Sequence, residues 1–256
     1  MNIVSGFADV SLLQLLLVAC IALFASIVGG LAGYGTGALM PLVLVPLVGA
    51  EPVVPIIAIS SIFTNLSRAV AFLRYADRRR ALIVILAAAL TTALGAYGYT
   101  RLNNAGAALV IGTMLIASVP LRRLARRRNV RIADTGLGVG AVGYGALVGG
   151  TSGSGVILLS LLMAAGLEGA AVIATDALIS VATSIIKISV FGLAGIVTAQ
   201  VLAFALLIGA IALPGAFLAR AFVERMPVHI HTAILDVAVT AGGLVMIASA
   251  LRSFFE

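Results

Sequence analysis

Charged residues are scarce in this sequence: they make up 10% of its 256 residues, against about 25% in typical soluble domains. A chain with so few charges cannot cover a globular domain with a water-facing surface. Cysteine is nearly absent as well, and the single residue, Cys20, cannot form a disulfide within the chain. The sequence therefore excludes a water-soluble globular protein and an internal disulfide framework.

Hydrophobic residues make up 62% of the chain, and its mean hydropathy is +1.23. Eight long apolar runs follow one another, and helical runs of about 20 residues span a hydrocarbon layer of about 30 Å. We therefore predict an all-α, polytopic membrane protein that lies in a lipid bilayer. The runs are 12–31, 53–73, 82–100, 106–120, 136–150, 170–191, 197–219 and 232–251.

The net charge of +7 invites the hypothesis of a nucleic-acid partner, but the positions of the basic residues argue against it. They gather in two short loops between apolar runs, at 74–80 and 122–131. Short arginine-rich loops are typical of the cytoplasmic side of membrane proteins. We expect both loops in the cytoplasm and no binding of nucleic acid.

A glycine-rich string occurs twice: VGGLAGYGTG at 28–37 and VGGTSGSG at 148–155. We call these the first and second glycine strings. Further matches follow in the same order, including Asn65 with Ser184 and Arg68 with Lys187, at an offset of 119 residues (187 − 68). A shared order of matches indicates an internal duplication. The predicted repeats are 1–121 and 134–256, joined by an arginine-rich cytoplasmic linker at 122–133.

Each repeat is predicted to contain a lead-in helix, a glycine break, a short helix and three full spans. The short helices, at 38–48 and 156–165, reach only part-way across a bilayer at about 1.5 Å per residue. An odd number of crossings inverts the second repeat relative to the first, and counting from the cytoplasmic loops places both termini outside. Inverted repeats with broken helices are typical of secondary transporters.

The glycine strings suit a binding site that is built from backbone. Glycine lets a chain unwind and approach a ligand closely, and unwound N–H groups in a bilayer must line a cavity or find partners. We expect the two breaks to meet at mid-membrane, with the positive ends of the following helices facing an anion. The alternative is tight helix packing through small residues, since GxxxG spacings recur in both strings.

Four charged residues lie inside predicted spans: Asp236, near the start of the last one, where an acid favours the helix dipole, and three that lie deeper. The cations Arg68 and Lys187 each follow a hydrogen-bonding residue, Asn65 or Ser184, by three positions, which places both members on one helix face. A charge inside a bilayer is costly and indicates function. The alternative is that both cations snorkel to the interface, and it is stronger for Arg68. The acid Asp176 could carry a coupling proton or, as we favour, pair with a cation.

With these features, the sequence resembles the TauE/SafE family of sulfite exporters and sulfur-anion permeases, within the 4-toluene sulfonate uptake permease superfamily. The resemblance covers residues 12–251 and rests on VGGLAGYGTGALMPLVLV, NLSRAVAFLRYADRRR and VGGTSGSGVILLSLLMAAGLEGAAVIATDAL. It implies movement of sulfite or organosulfonates such as sulfoacetate across the bacterial inner membrane, with export expected. Transport would use the proton-motive force or an ion gradient, and no cofactor.

The predicted site combines backbone and side chains in alternating access. The break N–H groups, with Ser152 and Ser154, would replace the hydration shell of the anion. Lys187 and Arg68 would supply countercharge, while Asn65 and Ser184 would orient the oxygens. Asp176 is the candidate for coupling to H⁺, and no metal site is expected. The other predicted substrate-binding residues are Gly29, Gly30, Gly33, Gly35, Thr36, Gly37, Gly149, Gly150, Gly153 and Gly155.

Two other functions compete with transport. GTSG at 150–153 fits the GxSG motif of rhomboid intramembrane proteases, which would need His229 or His231 within hydrogen-bond reach of Ser152. Both histidines sit at a helix entry beside a charged loop instead. A channel for cations or another small solute fits poorly with two intramembrane cations. We therefore expect a transporter rather than an enzyme.

Overall fold

The computed structural model describes residues 3–7, 10–32, 36–127, 131–215, 217–218 and 240–252. Ten α-helices and short connections account for this part of the chain, which contains no β-strand, so the predicted all-α fold is confirmed. The helices are α1 (Leu12–Ala32), α2 (Thr36–Val48), α3 (Val53–Phe72), α4 (Arg78–Tyr99), α5 (Asn104–Arg127), α6 (Asp134–Gly150), α7 (Gly155–Ala164), α8 (Ala170–Leu193), α9 (Ala199–Ala212) and α10 (Thr240–Arg252).

Four helical segments in the described part of the chain are long and apolar enough to cross a membrane: Val53–Tyr75, Arg78–Tyr99, Asn104–Leu121 and Ala170–Leu193. The second of these carries an outward row of leucines four residues apart, and each is more than half exposed. Leucines at this spacing lie on one helix face, and a long apolar face suits contact with lipid. The protein is therefore a membrane protein. The row consists of Leu82, Leu86, Leu90 and Leu94.

Two helix ends differ from the prediction. The span predicted at 197–219 is interrupted. The helix α9 ends at Ala212, a turn follows at Pro214, where proline cannot continue the backbone hydrogen bonding of a helix, and helical backbone resumes at 215 and 217–218. Conversely, α5 continues through Pro120 to Arg127, since proline is tolerated within membrane helices. The first part of the predicted linker is therefore helical.

Both predicted short helices are present: α2 has 13 residues and α7 has 10. Between α6 and α7, residues 151–154 leave the helix, and Gly153 has φ +87°, a conformation that favours glycine. The break in the second glycine string is therefore confirmed. In the first string, Gly33 and Gly35 lie outside the described residues.

The fourth helix of each predicted repeat packs against the other repeat. The helix α4 lies against α6 and α8, and its counterpart α9 lies against α1 and α3. Likewise, α5 contacts α7, while α10 contacts α2 through Gly242 and Leu42. A duplicated chain whose halves are related by a two-fold axis produces such matched contacts. The packing is that expected of two related halves, and their inversion in the membrane stays a prediction.

The two arginine-rich loops adjoin helix ends that lie close together. Arg79 and Arg80, at the start of α4, pair with Asp134, at the start of α6, at 3.0 and 3.4 Å. The starts of α4 and α6, which adjoin the two arginine-rich loops, therefore lie on the same side of the molecule. The helices α3 and α8 run antiparallel, because Asp77, just beyond the end of α3, donates its N–H to Thr175, near the start of α8.

Candidate anion-binding site

A cavity of about 120 Å³ lies between α3 and α8, beside the two glycine strings that precede α2 and α7. One buried water needs roughly 10–15 Å³, so a small oxyanion fits here. Hydroxyl, amide and charged side chains from α3 and α8 line the cavity, together with the backbone at the starts of α2 and α7. The wall is therefore polar, although the surrounding helices are apolar.

The two glycine strings meet at this cavity, as predicted. A Cβ atom placed on Gly37 would lie 3.1 Å from the backbone nitrogen of Gly153. The Ser152 hydroxyl donates a hydrogen bond to the Gly37 carbonyl at 2.5 Å. The N-terminal ends of α2 and α7 thus converge, and the cap residue of α7, Ser154, makes no side-chain capping bond. Free N–H groups at a helix N-terminus favour an anion.

Matching polar faces of α3 and α8 line two sides of the cavity. On each helix, four residues follow the spacing i, i+3, i+4 and i+7, which keeps them on one face. The two faces touch where the hydroxyl oxygens of Ser61 and Ser184 lie 2.9 Å apart. The sets are Ser61, Thr64, Asn65 and Arg68 on α3, and Ser180, Thr183, Ser184 and Lys187 on α8.

Arg68 and Asp176 form a buried ion pair across the two helices. The Arg68 guanidinium lies 3.1 Å from the Asp176 carboxylate, and their side chains are 8% and 1% exposed. Arg68 also donates a hydrogen bond to the Asn65 side-chain oxygen. Arg68 is thus turned inward, contrary to the snorkelling alternative, and the favoured pairing of Asp176 is present.

Lys187 is also buried, with 6% of its surface exposed. Its Nζ donates a hydrogen bond to the Thr151 carbonyl at 3.3 Å. This carbonyl caps α6, and a cation is favourable at the negative end of a helix. Lys187 has no acidic partner within the described part of the chain. It therefore brings an uncompensated positive charge to the cavity wall, and it does not snorkel.

Most of the predicted site residues lie together on this wall. The cavity is lined by Thr36, Gly37, Asn65, Arg68, Ser152, Gly153, Ser154, Gly155, Asp176, Ser184 and Lys187. Gly29 and Gly30 belong to the last turn of α1, and their part in the site stays a prediction.

Gly149 and Gly150 lie against α4 and do not line the cavity. A Cβ atom on Gly149 would overlap the Thr92 carbonyl, and one on Gly150 would lie 3.1 Å from the Gly95 carbonyl. Close contact between helix backbones is the usual role of small residues in membrane helices. These two glycines therefore serve tight helix packing, the alternative to a binding role, in the observed contacts.

Several hydroxyl groups of the cavity were not predicted from the sequence. They are Ser26, Ser61, Thr64, Tyr144, Thr151, Ser180 and Thr183. A sequence signal existed for four of them, because Ser61 with Ser180 and Thr64 with Thr183 share the offset of 119 residues (180 − 61). Extending the Asn65 and Arg68 matches by one helical turn would have identified these residues.

The geometry around Ser152 does not resemble a protease site. Its hydroxyl donates to the Gly37 carbonyl, whereas a nucleophilic serine donates its proton to a general base. No histidine lines the cavity among the described residues. His229 and His231, the histidines considered for this role, lie outside them.

Comparison with known proteins places the chain in a family. The sequence profile of the family described as "Sulfite exporter TauE/SafE" matches residues 18–246, nearly the whole chain. No curated protein and no solved structure matches significantly. The family consists of membrane transporters of sulfur-containing anions, not enzymes. The chain belongs to the sulfite exporter TauE/SafE family.

Proposed function

We propose that this protein exports small sulfur-containing anions, such as sulfite or an organosulfonate, across the bacterial inner membrane by alternating access. The observation that carries the proposal is the convergence of two helix N-termini on a polar cavity beside the buried Lys187. Helix N-termini present N–H groups and partial positive charge to an anion. A buried cation without an acidic partner is costly, and its presence therefore indicates a function.

The residues of the cavity divide the work of binding. The N–H groups at the starts of α2 and α7, with the hydroxyls of Ser152 and Ser154, replace water around the anion. Lys187 supplies the countercharge. Asn65 and Ser184 orient the oxygens, each from the middle of a long helix. Rigid helices are suited to this task because they hold the groups before the anion arrives.

Transport follows from the two-fold arrangement. Residues 1–121 and 134–256 form inverted repeats around the cavity, and rocking of one against the other opens it to each side in turn. The arginine-rich loops face the cytoplasm, and both termini lie outside. A single cysteine at position 127, in a variant that lacks Cys20, should react only with reagents on the cytoplasmic side; reaction from outside would invert the topology.

The experiment that tests the function is transport by purified protein in lipid vesicles. Vesicles loaded with sulfite or methanesulfonate should release it faster with the protein than without it, and Lys187→Ala should abolish most of the difference. Ser189→Ala is the matched control, because Ser189 lies on α8 but is exposed and bonds to the Ile185 carbonyl. The absence of release of any sulfur anion by folded protein would disprove the function.

Coupling to protons through Asp176 is a separate part of the proposal. Asp176 lines the cavity and is the partner of Arg68, so a change in its charge alters the site directly. A pH gradient across the vesicle membrane should accelerate transport by the parent protein, and Asp176→Asn should lose this response. Equal responses of the two proteins would remove Asp176 from coupling.

A further inference from the structure

Among the described residues, the cavity has two buried cations, and Arg68 is the one that lies beside an acid. We infer that the site selects anions with a single negative charge, and that Asp176 sets this selectivity by neutralising Arg68. The inference rests on the proposed function, because it concerns the same site. The class comprises organosulfonates with one acidic group and hydrogen sulfite, and dianions such as sulfate are disfavoured.

The charges on the wall add up to one positive charge. Among the described residues, the charged side chains that line the cavity are Arg68, Asp176 and Lys187. The first two lie 3.1 Å apart, so they act as a neutral pair. In the described part of the chain, the hydrogen bond of Lys187 goes to a neutral group, the Thr151 carbonyl. The formal charge that a ligand meets is therefore that of Lys187.

The helix ends at the breaks change this balance little. Each N-terminus carries about half a positive charge and each C-terminus about half a negative charge. The second break joins the end of α6 to the start of α7, and the first lies between the end of α1 and the start of α2. Positive and negative ends therefore accompany each other at both breaks. The breaks therefore supply donors and local partial positive charge to the anion, but they add little to the net charge of the site.

A ligand with one negative charge leaves the filled cavity neutral, whereas a dianion leaves one negative charge in a buried site. An uncompensated buried charge is unfavourable because the protein interior screens poorly and water has been removed. Asp176 would add to the penalty, because it is a second negative group beside the dianion. The Asp176 carboxylate lies 3.1 Å from the Arg68 guanidinium, so its role in the cavity is that of the counterion of Arg68.

Methanesulfonate and sulfate test this inference, because they are of similar size and shape but carry one and two negative charges. Each is titrated into purified parent protein, Asp176→Asn, and the double variant Arg68→Gln/Asp176→Asn. The formal charge of the cavity is +1 in the parent, +2 in Asp176→Asn and +1 again in the double variant. Thermal melts identify variants that fail to fold, and the double variant removes the Arg68 charge that Asp176 no longer neutralises in the single one.

The parent should bind methanesulfonate at least about tenfold more tightly than sulfate, where tenfold corresponds to about 1.4 kcal/mol. Asp176→Asn should shift the ratio toward sulfate by a similar factor, and the double variant should restore the preference of the parent. Equal binding of both anions by the parent, or a double variant that behaves like Asp176→Asn, would overturn the selectivity while leaving anion transport intact. Binding of neither anion by folded parent protein would also overturn the selectivity, whereas the proposed function is decided separately by release of sulfite from vesicles.

Discussion

The polar faces of α3 and α8 have the same spacing, but the cation on one is paired with an acid and the cation on the other is bonded to a carbonyl. Each face has hydroxyl residues at i and i+3, Asn65 or Ser184 at i+4, and a cation at i+7. On α3 the cation, Arg68, is paired with an acid, whereas on α8 the cation, Lys187, bonds to the Thr151 carbonyl. A single substitution accounts for the difference, because the position in the first repeat that matches Asp176 is Ile57.

This difference shows how a duplicated structure becomes an asymmetric site. The symmetric parts, which are the breaks, the hydroxyls and the two cations, would give a cavity with two positive charges. The acid on α8 removes one of them, and it reaches across to the cation of the other helix. Arg68 therefore joins the two helices, and Lys187 is left to meet the ligand.

The largest expected effect is a difference in the stability of the folded protein when each of the two cations is replaced by alanine. Arg68→Ala leaves Asp176 buried without its partner, and breaking a buried pair on one side costs about 3–5 kcal/mol. Lys187→Ala leaves no acid without a partner, so the folded protein should lose little stability. Thermal melts of both variants in detergent measure the difference.

A double variant provides the control for this comparison. Arg68→Ala/Asp176→Ala removes both charges, and it should regain most of the stability that Arg68→Ala loses. If Arg68→Ala and Lys187→Ala are equally destabilised, or if the double variant is no better than Arg68→Ala, the ion pair does not distinguish the two faces.

The next largest effect should appear in binding. Lys187→Ala removes a countercharge from a buried site, and affinity for a sulfonate should fall by about one to three decades, at about 1.4 kcal/mol per decade. Lys187→Arg should recover part of the loss, because the charge remains while the donor geometry changes. Lys187→Gln should resemble the alanine variant. Titration of methanesulfonate into each folded variant gives the affinities, and unchanged binding by Lys187→Ala would return this residue to a purely structural role.

The fold could be predicted from the sequence because its signals are local. Apolar runs mark the helices, glycine strings mark the breaks, and the offset of 119 residues aligns the halves. Helix ends were less certain: the run at 197–219 does not reveal that the helix stops at Ala212, because Leu213 and Phe217 are as apolar as the residues before them. Here Pro214 decides the boundary, not hydropathy.

The site was predicted only in part because glycine has two uses that look identical in sequence. The glycines of the second string fit both a binding break and a helix contact by spacing. The structure separates them: Gly153 and Gly155 line the cavity, whereas Gly149 and Gly150 meet α4. The sequence predicts that Asp176 pairs with a cation, but it does not identify that cation as Arg68. Which cation an acid meets depends on the relative position of two helices that are distant in sequence.

The smallest effect should separate these two kinds of glycine. Gly37→Ala places a methyl group 3.1 Å from the Gly153 backbone, so the breaks must move apart slightly, and affinity should fall by about 1 kcal/mol with little loss of stability. Gly149→Ala should do the reverse, lowering stability by about 1–3 kcal/mol because its methyl group overlaps the Thr92 carbonyl of the packed helix. Gly143→Ala is the matched control, since an added Cβ meets nothing within 4 Å; alanine should be neutral there or stabilise the helix by up to about 1 kcal/mol. Titrations and thermal melts of the three variants give both quantities. A Gly37→Ala protein that binds as well as the Gly143→Ala protein would show that the contact between the two glycine strings serves packing alone, and the binding role would then rest on Lys187 and the polar faces of α3 and α8.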